Sequence, residues 1–338
     1  MISFILSAIK IIFLLGFLIF IHELGHFTVA KLCKVRVNEF AIGFGPAIWK
    51  KQGKQTKYAL RLIPLGGFVS MEGEEERSEE IGSFSKASIP KRIAIVAAGA
   101  IVNIIFAIIV YFLLIANSGT YITNEIVSTI EGYPAQQIGL HSGDKIIEAN
   151  NKKINNLYDL NKSIQANTES INLKIDREGT ILEYNIVPKQ ITEQQGERWY
   201  LGVNLKRAED TIGNRCVNAA MSTKDFVFSI VDNLKQLFTG NVEIDQMMGP
   251  VGISEVVSKT NGIKEFLYMM ALISISLGVT NLLPIPALDG GKILILIIEA
   301  IRRKPLKEQT EINIQLLGFS ILIVLSLYVT YNDIIRIF

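Results

Sequence analysis

His22-Glu23-Leu24-Gly25-His26 places two imidazoles four residues apart with a carboxylate beside the first. Residues at i and i+4 of a helix stand one above the other on the same face, so both rings can reach one cation while Glu23 borders the same space. Neutral imidazoles are zinc ligands and an adjacent carboxylate is a general base, the pieces that metal-assisted hydrolysis of a peptide bond requires. A pattern this short arises by chance in on the order of one chain per hundred of this length, so its setting has to carry the rest. The plain alternative is that both rings are neutral and hydrogen-bonded near a membrane surface, with Glu23 reaching toward the headgroups.

A catalytic zinc takes three protein ligands and leaves one position open. The chain has three histidines, and His141 falls in a long polar segment, which leaves carboxylates within apolar stretches, chiefly Asp289 and Glu299. Glu299 stands three and four residues before Arg302 and Arg303 and is expected to form a helix ion pair with them at the membrane surface. Asp289 has no such neighbour and follows a proline break in Asn281-Leu282-Leu283-Pro284-Ile285-Pro286-Ala287-Leu288-Asp289. Its alternative role is to cap the helix that restarts there.

These groups need a scaffold, and composition says what kind. Of 338 residues 49% are hydrophobic, and the mean hydropathy of +0.33 is too apolar for a typical water-soluble protein. Four stretches reach the roughly 20 residues that cross a hydrocarbon core: Phe4 to Ala30, Ile93 to Ala116, Phe266 to Ile301 and Leu316 to Tyr331. The first lacks a basic leader and is read as a retained span. The third is broken by Pro284, Pro286, Gly290 and Gly291, a break that lipid tolerates only where protein or a watery cavity shelters the freed backbone groups. A charge inside such a span costs about 2.5 to 3.5 kcal/mol, so the clustered polar groups of the histidine motif call for a function.

Lys31, Lys34 and Arg36 follow the first span, Lys91 and Arg92 precede the second, and Arg302, Arg303, Lys304 and Lys307 separate the third from the fourth. Those loops are expected in the cytoplasm, with both termini and the segment from Asn117 to Lys264 outside. His26 lies five residues before Lys31 and Asp289 thirteen before Arg302, roughly 8 and 20 Å along straight helix, so both belong to the cytoplasmic half. Cys33 and Cys216 then face opposite sides and cannot pair, and no Cys/His spacing marks a structural zinc ribbon. A net charge of +2 gives no field for nucleic acid.

Within the outer segment, Ile171, Leu173 and Ile175 alternate, Arg177 to Thr180 offers a glycine turn, and Leu182, Tyr184 and Ile186 alternate again, which predicts a hairpin. The stretch from Tyr133 to Asn150 before it resembles the core of PDZ domains, which implies a short helix, a Gly-Asp turn and a strand. PDZ domains bind peptides by strand addition, so peptide sensing or gating is implied, against the alternative of a packed spacer. Phe226, Ile230, Leu234 and Leu237 predict an amphipathic helix over Thr223 to Phe238.

The pairing of HELGH with NLLPIPALDGG resembles the site-2 protease family of intramembrane metalloproteases, and more closely the bacterial regulator-of-sigma-E protease group. Gly43-Phe44-Gly45-Pro46, Ile63 to Met71, Gly99-Ala100-Ile101-Val102-Asn103 and Gly249-Pro250-Val251-Gly252 agree with it, so the likeness spans nearly the whole chain. It implies an α-helical integral membrane protein with four transmembrane helices, a membrane-associated β-hairpin loop and an inserted α+β PDZ domain, where many members carry two. It further implies that His22, His26 and Asp289 bind Zn2+, that Glu23 is catalytic, and that the hairpin from Phe40 to Met71 presents an edge strand to substrate. Asn103, Asn281, Gly66 and Gly67 are the implied substrate contacts.

The expected divisions are 1–30, first span; 31–91, cytoplasmic and re-entrant hairpin; 92–116, second span; 117–206, PDZ domain; and 207–265, outer helical segment. The interrupted third span, a cytoplasmic loop and the fourth span follow at 266–301, 302–314 and 315–333. The implied setting is the bacterial cytoplasmic (inner) membrane, with the lipid bilayer, single-span membrane-protein segments and a PDZ-bound peptide as partners. The implied substrates are anti-sigma factors or remnant signal peptides. A membrane-embedded PDZ adaptor with a non-catalytic metal site is the alternative. A metal transporter would instead spread polar residues over several spans.

Overall fold

The computed structural model describes residues 2–74, 76–115, 120–193, 196–238 and 249–337. The chain divides into two units, one of Met1–Leu114 with Ala219–Phe338 and one of Ile115–Asn218. The first unit opens with helix α1 (Ile2–Leu32), strands β1 (Val37–Gln52) and β2 (Lys57–Met71), and helix α2 (Ile89–Ile115). The second holds β3 (Ile122–Thr129), α3 (Pro134–Gln137), β4 (Lys145–Ala149), β5 (Lys152–Lys153), α4 (Leu157–Ala166) and β6 (Ile171–Arg177). It continues through β7 (Thr180–Ile186), β8 (Lys189–Glu193), β9 (Gly196–Tyr200) and β10 (Val203–Arg207). Helix α5 (Ile212–Phe238) is followed by α6 (Pro250–Ser258), α7 (Ile263–Asn281), α8 (Asp289–Arg302) and α9 (Glu308–Ile337).

Among the described residues, four helices are long and apolar enough to cross a bilayer: Leu6–Leu32, Ile89–Leu114, Ile263–Asn281 and Glu308–Arg336. They carry Leu14 and Leu18 of α1, which are buried against Val257, Met270 and Ile273. Outward residues such as Leu316, Leu317, Phe319 and Val324 of α9 stay exposed, an apolar surface that water would penalise and lipid accepts. The break expected in the third span covers residues 282–288, and α8 begins at its far side. With 14 residues, α8 rises about 21 Å, too short to cross alone.

Strands β1 and β2 pair antiparallel through an irregular register in which Phe40 faces both Val69 and Tyr58. The first part of β1 therefore lies between two parts of β2, and Phe68–Met71 forms an edge. Phe44, Ile48, Trp49, Leu62 and Ile63 are exposed toward the far end of the hairpin. Its other end is anchored by Val37, Phe40, Val69 and Met71, which pack with Ala30 of α1, Ile95 and Val96 of α2 and Leu296 of α8. That cluster ties the hairpin to the three helices that carry the polar motifs.

In the second unit, antiparallel strands run in the order β10-β3-β4-β6-β7, with β5 beside β4 and β8–β9 as a separate hairpin. The predicted hairpin forms with Arg177 opposite Thr180, and Glu178 and Gly179 take φ of 53° and 86°, the positive pair that a tight turn between right-twisted strands demands. Ile146, Leu173 and Ile175 are fully buried, each contributing about 1.5 to 3 kcal/mol by leaving water. The Gly-Asp turn closes on an ion pair: Arg177 donates from Nε to Asp144 Oδ1 at 2.7 Å and from Nη2 to Oδ2 at 2.8 Å, and the His141 amide donates to Oδ2 at 3.0 Å.

The hydrogen bonds from Arg177 hold the Asp144 carboxyl below the usual carboxylate range against the opposing effect of burial. A depressed folded-state value contributes stability above the unfolded pKa of about 3.9, and loses it as pH falls through the folded value, so the effect weakens only in strong acid. Asp144→Ala is expected to destabilise this unit by about 3 kcal/mol at neutral pH. Hydrogen exchange of the β4 amides measures it, with roughly 100-fold faster opening expected and unchanged protection as the contrary result.

Helix α5 starts at Ile212, earlier than the pattern over Thr223 to Phe238 predicted. The side chains of Leu234 and Leu237 lie outside the described set, as do residues 239–248 of the expected 207–265 segment and residues 116–119 at the end of the second span.

Candidate metal centre

His22 and His26 stand one turn apart on α1, with ring centroids 4.7 Å apart and planes near perpendicular. Asp289 reaches them from the first residue of α8. His22 Nε2 lies 3.2 Å and His26 Nε2 3.5 Å from Asp289 Oδ2, and the two Nε2 atoms are 3.1 Å apart. Ligand atoms about 2.0 to 2.1 Å from a tetrahedral zinc are separated by roughly 3.3 Å, so this triangle fits that ion. Asp289 Oδ2 is buried and accepts no hydrogen bond, leaving a negative oxygen between two ring nitrogens where a cation would sit. The three residues form the group of His, Cys, Asp and Glu able to hold a metal among the described residues.

The capping role weighed for Asp289 does not hold. The cap position is Leu288, no side chain caps the helix, and the carboxylate turns to the histidines instead. Glu299 also departs from expectation. Its Oε2 accepts from Arg92 at 3.1 Å, its Oε1 accepts the Leu306 amide at 2.9 Å, and Arg77 lies 3.8 Å away. Arg302 and Arg303 are not its partners; Arg303 leaves the helix with φ of 53°. A nearly buried carboxylate needs a guanidinium beside it, and α2 supplies one that helix spacing on α8 could not reveal.

The loop before Asp289 is braced from α9, where Gln315 Oε1 accepts the Ala287 amide at 2.6 Å while Ala287 holds φ of 75°. The rings are braced from α2. His26 Nδ1 donates to the Ile95 carbonyl at 2.9 Å, which leaves its Nε2 free to bind a metal. A side chain at Gly99 would come within 2.5 Å of His26 Nε2 and 2.8 Å of His22 Nε2, so only glycine lets α2 approach this closely. Asn103 is fully buried; its Nδ2 lies 3.4 Å from His22 Nδ1, and its Oδ1 is buried without a partner. It therefore lies beside the His22 ring.

A cavity of about 440 Å³ opens over the centre, lined by His22, Glu23, His26, Asp289, Val96, the edge strand Phe68–Met71, Glu74 and Lys292. Gly66 and Gly67 do not line it: Gly66 sits against the Phe44 ring, and a side chain at Gly67 would meet Glu23 Cγ at 3.2 Å. Asn281 ends α7 and is also outside the lining. Sequence reasoning missed Glu74 and Lys292, which pair at 2.8 Å. The signal for Lys292 was its place three residues after Asp289, on the same helix face.

The profile of peptidase family M50 matches residues 10–325. A Clostridium acetobutylicum protein that carries a provisional name as a zinc metalloprotease is 34% identical over 325 residues, covering 95% of this chain and 95% of its own. The regulator of sigma-W protease RasP of Bacillus subtilis is 28% identical over 421 residues, covering 99% of this chain and 100% of its own. Among solved structures, the PDZ domain of an SdrC-like protein from Listeria innocua is 20% identical and covers 28% of this chain and 99% of its own, with a TM-score of 0.22.

Proposed function

This chain belongs to peptidase family M50 and is a zinc metalloprotease with several apolar helices; from that premise we propose that it cuts peptide bonds inside the membrane-spanning segments of single-span proteins. Anti-sigma factors and remnant signal peptides are the substrate types in view. The observation that carries the assignment is the triangle of His22, His26 and Asp289 with Glu23 at its side, in a cavity walled by a strand edge.

His22, His26 and Asp289 would hold the zinc, which when bound would supply Lewis-acid polarisation of the scissile carbonyl and lower the pKa of a water molecule toward neutrality. Glu23 takes the proton from the attacking water and returns it to the leaving amine. A substrate helix hides its carbonyls in its own hydrogen bonds, so a stretch of it must unwind before attack. Phe68–Met71 offers unpaired backbone groups at the cavity wall, and an unwound segment added to that edge has its donors and acceptors satisfied. The exposed apolar end of the hairpin, with Trp49, Ile48 and Phe44, dips into the lipid and meets the substrate there.

The basic loops support an orientation with the active site toward the cytoplasm and with both termini and the second unit, read as a PDZ domain, outside. Exposed Cys216 and half-buried Cys33 report this directly. An impermeant maleimide added to intact cells is expected to label Cys216 alone, with Cys33 reacting only after permeabilisation; outside labelling of Cys33 would reverse the orientation. The function is tested by membrane proteomics of cells carrying wild-type protein or Glu23→Gln. Accumulation of uncut membrane-spanning segments in the variant is expected, and identical fragment profiles would count against the assignment.

A further inference from the structure

A histidine that binds metal through Nε2 carries its proton on Nδ1, and that proton needs an acceptor, which in turn fixes the ring's rotation. His26 has one, the Ile95 carbonyl at 2.9 Å. His22 faces the Asn103 amide, whose Nδ2 is 3.4 Å from Nδ1 while Oδ1 is buried with no donor. With Nδ2 donating, Nδ1 accepts and the His22 proton is left on Nε2, the atom that must be bare for a metal. A half-turn of the amide reverses this: Oδ1 accepts the Nδ1 proton, gains the partner it lacks, and frees Nε2.

The three anchors share one stripe of α2. Ile95, Gly99 and Asn103 are spaced by four residues, so a carbonyl stands under His26, a missing side chain stands level with both rings, and an amide stands under His22. The Asn103 backbone is itself held, because Ser274 Oγ of α7 donates to its carbonyl at 2.8 Å. We propose that Asn103 is a positioning residue of the metal centre, accepting the Nδ1 proton of His22 through its amide carbonyl and so presenting the bare Nε2 to zinc. The proposal rests on the zinc-site assignment above and replaces the expected role of Asn103 as a substrate contact.

The test is zinc affinity of the purified full-length chain in detergent, measured by competition with a chromophoric chelator. Outer partners of metal-binding histidines are worth about 10- to 100-fold in affinity, so Asn103→Leu, similar in volume but without an acceptor, is expected to weaken zinc binding by that factor. Asn103→Asp retains the acceptor and is expected to bind zinc at least as tightly as wild type. A substrate contact would instead raise KM and leave zinc affinity alone, so wild-type affinity in Asn103→Leu, or equal losses in both variants, overturns the proposal. If the wild-type chain takes up no zinc, the site assignment fails and this role goes with it. Independently of how the variants fold, nitrogen-15 histidine spectra of the zinc-loaded wild type should show His22 protonated on Nδ1; protonation on Nε2 overturns the proposal.

Discussion

Glu23→Gln is expected to lower kcat on a single-span substrate by on the order of 10³-fold while the protein keeps about one zinc ion per chain. Glutamine matches glutamate in size, so the packing of α1 is undisturbed. Glu23 is not one of the three converging ligands, and its loss leaves the triangle of His22, His26 and Asp289 in place. In the proposed mechanism, what disappears is the group that takes a proton from water and gives it to the leaving amine. KM should change little if the substrate is held along Phe68–Met71 of the cavity wall, as proposed. Single-turnover cleavage together with metal analysis reads both quantities. Cleavage at the wild-type rate removes Glu23 from the reaction, and loss of zinc in the variant makes it a structural residue of the metal centre.

Asp289→Asn is expected to fail in the opposite way, losing metal first and activity with it. The carboxylate is the one negative ligand atom in the triangle, and its Oδ2 accepts no hydrogen bond that could substitute for a cation. A neutral amide oxygen leaves two imidazoles to hold the ion, and affinity should fall well beyond the 10- to 100-fold that outer partners are worth. Zinc also stabilises the fold that binds it, by about 4 kcal/mol at a thousand times its dissociation constant. The wild type should therefore melt higher with zinc than with chelator, and Asp289→Asn should melt alike in both. Full zinc occupancy in the variant, or a melting shift equal to wild type, would remove Asp289 from the ligand set.

Features within one element were legible in the sequence. The i, i+4 histidines, the proline break before Asp289 and the Arg177 to Thr180 turn each depend on neighbours a few residues away. The spans were expected from hydropathy, and among the described residues four helices are long and apolar enough to cross a membrane, in the same order. What spacing could not supply was distance across the chain. Asp289 could be a ligand or a cap until its carboxylate was located against rings on α1. Glu299 was assigned to arginines on its own helix, while its partner Arg92 is 207 positions away. Asn103 is invisible as a histidine anchor because only the close approach that Gly99 permits brings α2 under the rings. The edge strand at the cavity wall was anticipated as a hairpin, but that Phe68–Met71 and not Gly66 and Gly67 face the metal centre depends on the irregular register with β1.

The most direct test is to reconstitute the purified protein in liposomes with a single-span protein and map the products by mass spectrometry. A cut within the apolar span, abolished by a chelator, restored by added zinc and absent with Glu23→Gln, is the predicted result. Cleavage confined to residues outside the span, or cleavage unaffected by removing zinc, would contradict an intramembrane zinc protease built on His22, Glu23, His26 and Asp289.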